Sequence, residues 1–206
     1  PGFRSRCPIV ARARRGHDAR MGRLIYLINA SLDGYVETPG HGLDWTAVDE
    51  ELHTWFNDQV GGADVMLHGR RMYELMSAYW PTGADDPAAT AAMREFAGIW
   101  TAKPKVVFSR TLTRVDWNSR LVAGDVAPIL DGLRAEFAGE IHLGGARLAA
   151  EFVRRGLVDE YRLVVHPVAI GRGTPYFPYL GRPLPLRLVD QRTFGSGVTL
   201  LAYVPP

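Results

Sequence analysis

One cysteine, Cys7, stands in 206 residues. A single thiol excludes a disulfide framework and any cysteine-based zinc site. No apolar run approaches the roughly 18 residues that read as a membrane-spanning helix, so no such helix is expected. The six histidines (positions 17, 41, 53, 68, 142 and 166) never stand four apart. The helical two-histidine metal pattern is therefore missing too, and no metal is expected. Also absent are a Gly-x-Gly-x-x-Gly fingerprint after the first apolar run, a Walker A loop and a Gly-x-Ser-x-Gly nucleophile elbow. These absences remove the commonest dinucleotide, nucleoside-triphosphate and serine-hydrolase signatures. Ser196 does sit between glycines, but in a turn between two β-rich segments.

What is present is globular. With 47% hydrophobic and 22% charged residues, wholesale disorder is excluded, and at about 150 residues per domain the length suits one α/β domain. Charge is lopsided: residues 1–20 carry six arginines against Asp18, so the other 186 residues sum to −3 although the whole chain is +2. The leader reads either as a nucleic-acid-binding arm or as upstream, tag-like sequence ahead of Met21. Its longest apolar stretch, Ile9-Val10-Ala11, is too short for a secretory signal. The second reading is preferred: a disordered leader over 1–20, then one folded domain over 21–206, in the cytoplasm, with no nucleic-acid or membrane partner.

Short apolar runs alternate with helical patterns, as in a sheet covered by helices. Strands are expected at 23–30, 64–68, 105–108, 140–143 and 159–166. A capping box at Thr46-Ala47-Val48-Asp49 opens a helix carrying Val48, Leu52, Trp55, Phe56 and Val60 on one face, which Gly61-Gly62 ends. A short helix is expected near 70–78 and another over 88–98, inside a Pro- and Ala-rich excursion. Asp125 caps a helix bearing Ile129, Leu130, Leu133 and Phe137, and a further helix runs to about Arg155. Segments 186–194 and 198–204, joined by Gly195-Ser196-Gly197, read as an antiparallel hairpin.

In open α/β sheets, ligands gather at the carboxyl ends of parallel strands, where helix N-termini offer free N–H groups. The strands here deliver, in order, Ser31-Leu32-Asp33-Gly34, Gly69-Arg70-Arg71, Ser109-Arg110-Thr111 and Gly144-Gly145-Ala146-Arg147. Glycines permit close backbone approach to a diphosphate, and guanidinium groups grip phosphate as a fork. Singly, each is equally a tight turn, a solvated arginine or an Asx-turn at Asp33. Their shared edge points to a phosphate-rich anionic ligand.

These segments, with Met72-Tyr73-Glu74, Val107-Phe108, Leu143, Asp159-Glu160 and the run from Pro167 to Phe177, resemble the dihydrofolate reductase-like family over about residues 22–204. The likeness is greatest to its branch containing the reductase domain of the bifunctional riboflavin-biosynthesis deaminase/reductase. The resemblance implies a three-layer α/β/α fold with a mixed, mostly parallel sheet and a C-terminal antiparallel hairpin. It also implies an oxidoreductase that binds NADPH, acts on a small-molecule substrate and forms a homodimer. By position, Gly69, Arg70, Gly144, Gly145, Ala146 and Arg147 would hold the diphosphate. Ser109 and Arg110 would lie near the 2′-phosphate, Ala30 would offer backbone groups to the nicotinamide amide, and Asp33 would face the substrate as the catalytic residue. The expected activity is that of a 5-amino-6-(5-phosphoribosylamino)uracil reductase or a related heterocycle reductase. The alternatives are a dihydrofolate reductase or a non-catalytic NADPH-binding module. Two positions depart from the family: Met72 replaces a common Thr, and Leu52 or His53 stands where folate reductases carry a carboxylate, with Glu51 nearby. Arg147 and Arg172 are candidates for a substrate phosphate, and Trp45, Tyr79 and Trp80 for the pocket wall.

Overall fold

The computed structural model describes residues 22–206; the basic leader lies outside them. The chain runs β1 (Arg23–Ser31), β2 (Tyr35–Glu37), α1 (Glu50–Gly62), β3 (Val65–Gly69), α2 (Arg70–Gly83), α3 (Ala91–Ala102), β4 (Lys105–Phe108) and β5 (Ser119–Val122). It continues through α4 (Val126–Glu136), β6 (Glu140–Gly144), α5 (Ala146–Arg154), β7 (Glu160–His166), β8 (Thr174–Pro175), β9 (Arg187–Thr193) and β10 (Thr199–Val204). Eight strands form one sheet in the order β5-β4-β3-β6-β1-β7-β10-β9, while β2 and β8 make a separate two-stranded ribbon. The six strands from β5 to β7 are parallel, and the C-terminal pair β10 and β9 adds on antiparallel.

Alternation along β1 divides the molecule into layers. Leu24, Tyr26 and Ala30 point into a core with Leu130 and Leu133 of α4 and Phe152 of α5. Ile25 and Leu27 point to the other face, against Leu52 and Trp55 of α1. On that second face Met66 and Val107 meet Tyr73 of α2 and Phe96 and Trp100 of α3. Helices α4 and α5 thus cover one side and α1, α2 and α3 the other.

Local chemistry explains most boundaries and several departures from expectation. Helix α1 starts one turn later than the Thr46 capping box predicts, because Asp49 is the cap: its Oδ1 accepts from Leu52 N at 2.8 Å, while Thr46 Oγ1 donates to the Leu43 carbonyl. Glu50 and Glu51 then sit in the first turn, where carboxylates are favoured. Helix α2 does not stop near 78 but runs through Pro81 to Gly83. Its apolar residues Met76 and Trp80 pack beside Phe96, and that tertiary gain outweighs one lost backbone bond. Helix α3 starts at Ala91, three residues later than expected, with Thr90 Oγ1 accepting from Met93 N. Asp125 caps α4 as anticipated. Strands β2, β5 and β8 are too short to carry a hydrophobic period and were not expected. The β2–β8 ribbon requires glycine at 173, since a Cβ there would overlap the Glu37 carbonyl oxygen.

Phe152 is fully buried and meets Phe108 edge-on at 5.9 Å. Phe152→Ala is expected to cost about 3–5 kcal/mol, seen as a lower denaturant midpoint at unchanged slope.

Candidate functional site

Strand β6 pairs with β1 only from Arg23↔Glu140 to Tyr26↔Leu143, then ends at Gly144 and turns into α5. Strand β1 continues to Ser31, paired on its other side with β7. From Leu27 onward its β6-side edge therefore has no partner strand, and a cleft opens there. Such a split at the carboxyl edge of parallel strands is where ligands bind in open α/β folds.

The cleft has three contiguous stretches. The inner chamber, about 540 Å³, lies between the sheet and helices α1, α2 and α3; its walls include Leu27, Phe56, Met66, Tyr79, Trp80 and Phe96. The middle stretch, about 390 Å³, shares Ile28, Asn29 and Met72 with the chamber and is lined further by Gly69, Arg70, Arg71, Gly145, Ala146 and Arg147. The outer stretch, about 510 Å³, shares Arg70 and Leu148 with the middle and adds Ser109, Arg110 and Thr111.

Two helices begin in the middle stretch. Gly69 and Gly145 are the N-caps of α2 and α5, and neither end has a side-chain cap. Their free N–H groups and positive dipole ends face one cavity, the arrangement that attracts anions. Gly145 sits at φ +93°, and a Cβ there would come within 3.2 Å of Met72 Cβ, so the turn is open to a ligand only with glycine. Arg71 is tied to Glu37 at 3.1 Å. Arg110 and Arg147 form no ion pair among the described residues and are exposed.

The structure thus brings together Gly69, Arg70, Gly144, Gly145, Ala146, Arg147, Ser109 and Arg110 along one cleft. Ser109 is already engaged: its Oγ accepts from Thr111 N and Leu112 N and so shapes its own turn. Ala30 turns its side chain into the α4–α5 core; only its backbone lies on the free edge of β1. Asp33 lies outside the lining of all three stretches. Its carboxylate accepts from Ser31 Oγ at 2.6 Å and from the amides of Ile170 and Gly171, and the Ser31 bond leads the hydrogen bonds that lower its pKa. These contacts are those of an Asx-like residue that pins its loop. Glu51 is likewise remote, bound to Arg192 and Gly195 N. Arg172 is exposed and outside the cleft lining. Tyr79 and Trp80 do wall the chamber, whereas Trp45 packs edge-on against His166 at 5.5 Å.

Four polar groups line the chamber: Asn29, which sequence reasoning passed over, His68 and His142, which sit in strand-like runs, and His53, noted only for standing where folate reductases carry a carboxylate. A polar residue interrupting each apolar run was the available signal, but strand parity alone does not say which face is hollow. His166 Nδ1 accepts from Ala47 N at 3.1 Å, so its Nε2 carries the proton and donates to Asn29 Oδ1 at 3.0 Å. Asn29 is thereby held with its NH2 group unpartnered among the described residues. His68 is 1% exposed. Its Nδ1 has no partner among the described residues, and the same holds for Nδ1 of His142.

Burial, aided by the Lys105 cation, pulls the His68 pKa down to about 3. The native state leaves His68 neutral at pH values where the unfolded chain protonates it. Stability is therefore full above the ordinary value of 6.5 and falls by about 1.4 kcal/mol per pH unit below it. His166, also lowered by burial, adds to the same fall. Glu140, held down to about 2 chiefly by His142, loses its contribution only below its ordinary 4.5. His68→Phe is expected to flatten the pH 6.5–5 decline by roughly one proton's worth, measured by urea unfolding across that range.

Comparison with known proteins agrees with this architecture. The RibD C-terminal domain model matches residues 23–200. The uncharacterized protein YyaP of Bacillus subtilis (strain 168) is 31% identical over 188 residues, covering 91% of this chain and 97% of YyaP. The Thermotoga maritima diaminohydroxyphosphoribosylaminopyrimidine deaminase/5-amino-6-(5-phosphoribosylamino)uracil reductase superposes with a TM-score of 0.63 at 14% identity, covering 90% of this chain and 57% of that one. Dihydrofolate reductase from Enterococcus faecalis, complexed with NADP(H), superposes with a TM-score of 0.60 at 12% identity, covering 89% and 96%. The fold is the three-layer dihydrofolate reductase type, and the chain belongs to the RibD C-terminal domain family.

Proposed function

We propose that the protein is an NADPH-dependent reductase of the pyrimidine-reductase kind, transferring a hydride to a small heterocyclic or ribosylamino substrate. One observation carries this reading: two uncapped helix N-termini and five arginines (Arg70, Arg71, Arg110, Arg147, Arg155) line a groove that ends in an apolar chamber. Gly69, Arg70, Gly145, Ala146 and Arg147 would hold the diphosphate through backbone N–H groups and guanidinium forks. Ser109 and Arg110 would flank the 2′-phosphate. The unpaired edge of β1 near Ala30 would receive the nicotinamide amide. When bound, NADPH supplies the hydride. The chain's part is to bind and orient, and to keep water from the chamber with Phe56, Trp80 and Phe96.

The folate-reductase alternative is weaker, because no carboxylate lines the chamber among the described residues and Glu51 is bound elsewhere. A homodimer fits the edge strand β9, exposed along its whole length. Arg110→Ala is expected to weaken NADPH binding by about tenfold, as for loss of one charge-assisted hydrogen bond, and to leave NADH binding within twofold. Titration of both nucleotides by protein fluorescence checks this. Equal loss for the two would remove Arg110 from the 2′-phosphate.

A further inference from the structure

The inner chamber differs from the rest of the cleft in one respect that bears on substrate. No Lys, Arg, Asp or Glu is among its lining residues. The cleft's arginines all lie in the middle and outer stretches, where the proposed cofactor would use them. A phosphate buried in the chamber would face Met66, Phe56, Trp80 and Phe96 without a counter-charge. Burying an unpaired anion costs far more than an apolar wall returns. A free carboxylate or ammonium meets the same penalty.

Two of the chamber's polar groups, His53 and Asn29, have their hydrogen-bonding roles set by neighbours, His53 through Asn57 behind the wall. Asn57 Nδ2 donates to the Ala92 carbonyl at 2.9 Å and to Glu95 Oε2 at 2.7 Å. Its Oδ1, 3.3 Å from His53 Nδ1, is therefore an acceptor, and His53 carries its proton on Nδ1. With the proton on Nδ1, Nε2 is left as the acceptor, and it has no partner among the described residues. Trp80 and Phe96 hold the ring edge-on at 5.9 and 5.7 Å. Asn29, also in the chamber lining, has its oxygen committed to His166 and its NH2 without a partner among the described residues. The chamber thus offers an acceptor at His53 and a donor at Asn29, beside the unpartnered Nδ1 atoms of His68 and His142, amid apolar and sulfur-bearing walls.

We infer that the substrate is an uncharged, phosphate-free ring lactam, whose N–H donates to His53 Nε2 and whose carbonyl accepts from Asn29 Nδ2. This rests on the reductase reading for the cofactor's position, and narrows it by setting phosphorylated ribosylamino substrates aside. His53 and Asn29 set specificity. His166 is a positioning residue that acts through Asn29.

A matched pair of probes tests this: 6-(benzylamino)uracil and the same compound bearing a phosphate on the benzyl para position. Both are titrated calorimetrically into the full chain, with and without NADP+. The neutral probe is expected to bind at least tenfold tighter than the phosphorylated one. His53→Phe should weaken the neutral probe at least tenfold while NADP+ affinity stays within twofold, and His53→Gln should recover part of the loss. Met93→Lys, which adds a cation to the chamber wall, should raise affinity for the phosphorylated probe at least tenfold. Equal or tighter binding of the phosphorylated probe to the unaltered chain overturns the inference, as does no binding of the neutral probe with or without NADP+. Binding of the neutral probe without any binding of NADP+ keeps the inference and removes the reductase reading.

Discussion

Everything in the cleft follows from the parting of β1 and β6 beyond the Tyr26↔Leu143 pair. A parallel sheet satisfies its backbone by pairing, so a strand edge left open in the middle of the sheet needs a structural reason. That reason is Gly144-Gly145: the chain leaves the sheet at φ +93° and starts α5 on one face, while β3 delivers α2 from the neighbouring position. Two helix N-termini and one free strand edge are produced by the same divergence. The two uncapped helix ends and the apolar chamber are thereby held relative to each other by rigid elements and not by loops.

Along its length the cleft changes from cationic to apolar, and the layers explain why. The outer and middle stretches lie at the rim of the sheet, where Arg70, Arg110 and Arg147 can stay solvated. The chamber lies within the α1–α3 layer, roofed by Trp80 and Phe96, where a charge would be desolvated. Its histidines adapt to that setting. His68 is kept neutral by burial, and His166 has its tautomer set by the Ala47 amide. His53 is oriented by Asn57, itself fixed by α3. Asn29 and His53 are thus held by second contacts, as preorganised sites require.

Much of the architecture was legible in the sequence because its signals are local. Continuous apolar runs gave the buried parallel strands, Asp125 gave the α4 cap, and Gly195-Ser196-Gly197 gave the hairpin. The cap of α1 was misplaced because Thr46 and Asp49 are both good caps, and only Leu52's amide decides between them. The extension of α2 through Pro81 was hidden because its support comes from Phe96 on another helix. The glycines and arginines of the groove were found because they follow strands directly. That Asn29, His53, His68 and His142 line one chamber was not legible, since they look like isolated polar residues in apolar stretches.

The sequence by itself determined the longer strands and helices, the glycine- and arginine-bearing turns at the sheet edge and the family likeness, because these depend on periodicity, turn chemistry and short runs of neighbouring residues. Tertiary structure alone decided what those turns enclose. Asp33 looks like a site residue in one dimension, yet the Ile170 and Gly171 amides, more than 130 residues away, claim its carboxylate. Sequence leaves Leu52 and His53 as alternatives for one position, and the gap between α1, α2 and α3 makes His53 the chamber wall while Leu52 is buried in the core. Whether a polar side chain meets backbone, bulk water or a cavity depends on contacts between distant segments, and no local pattern encodes them.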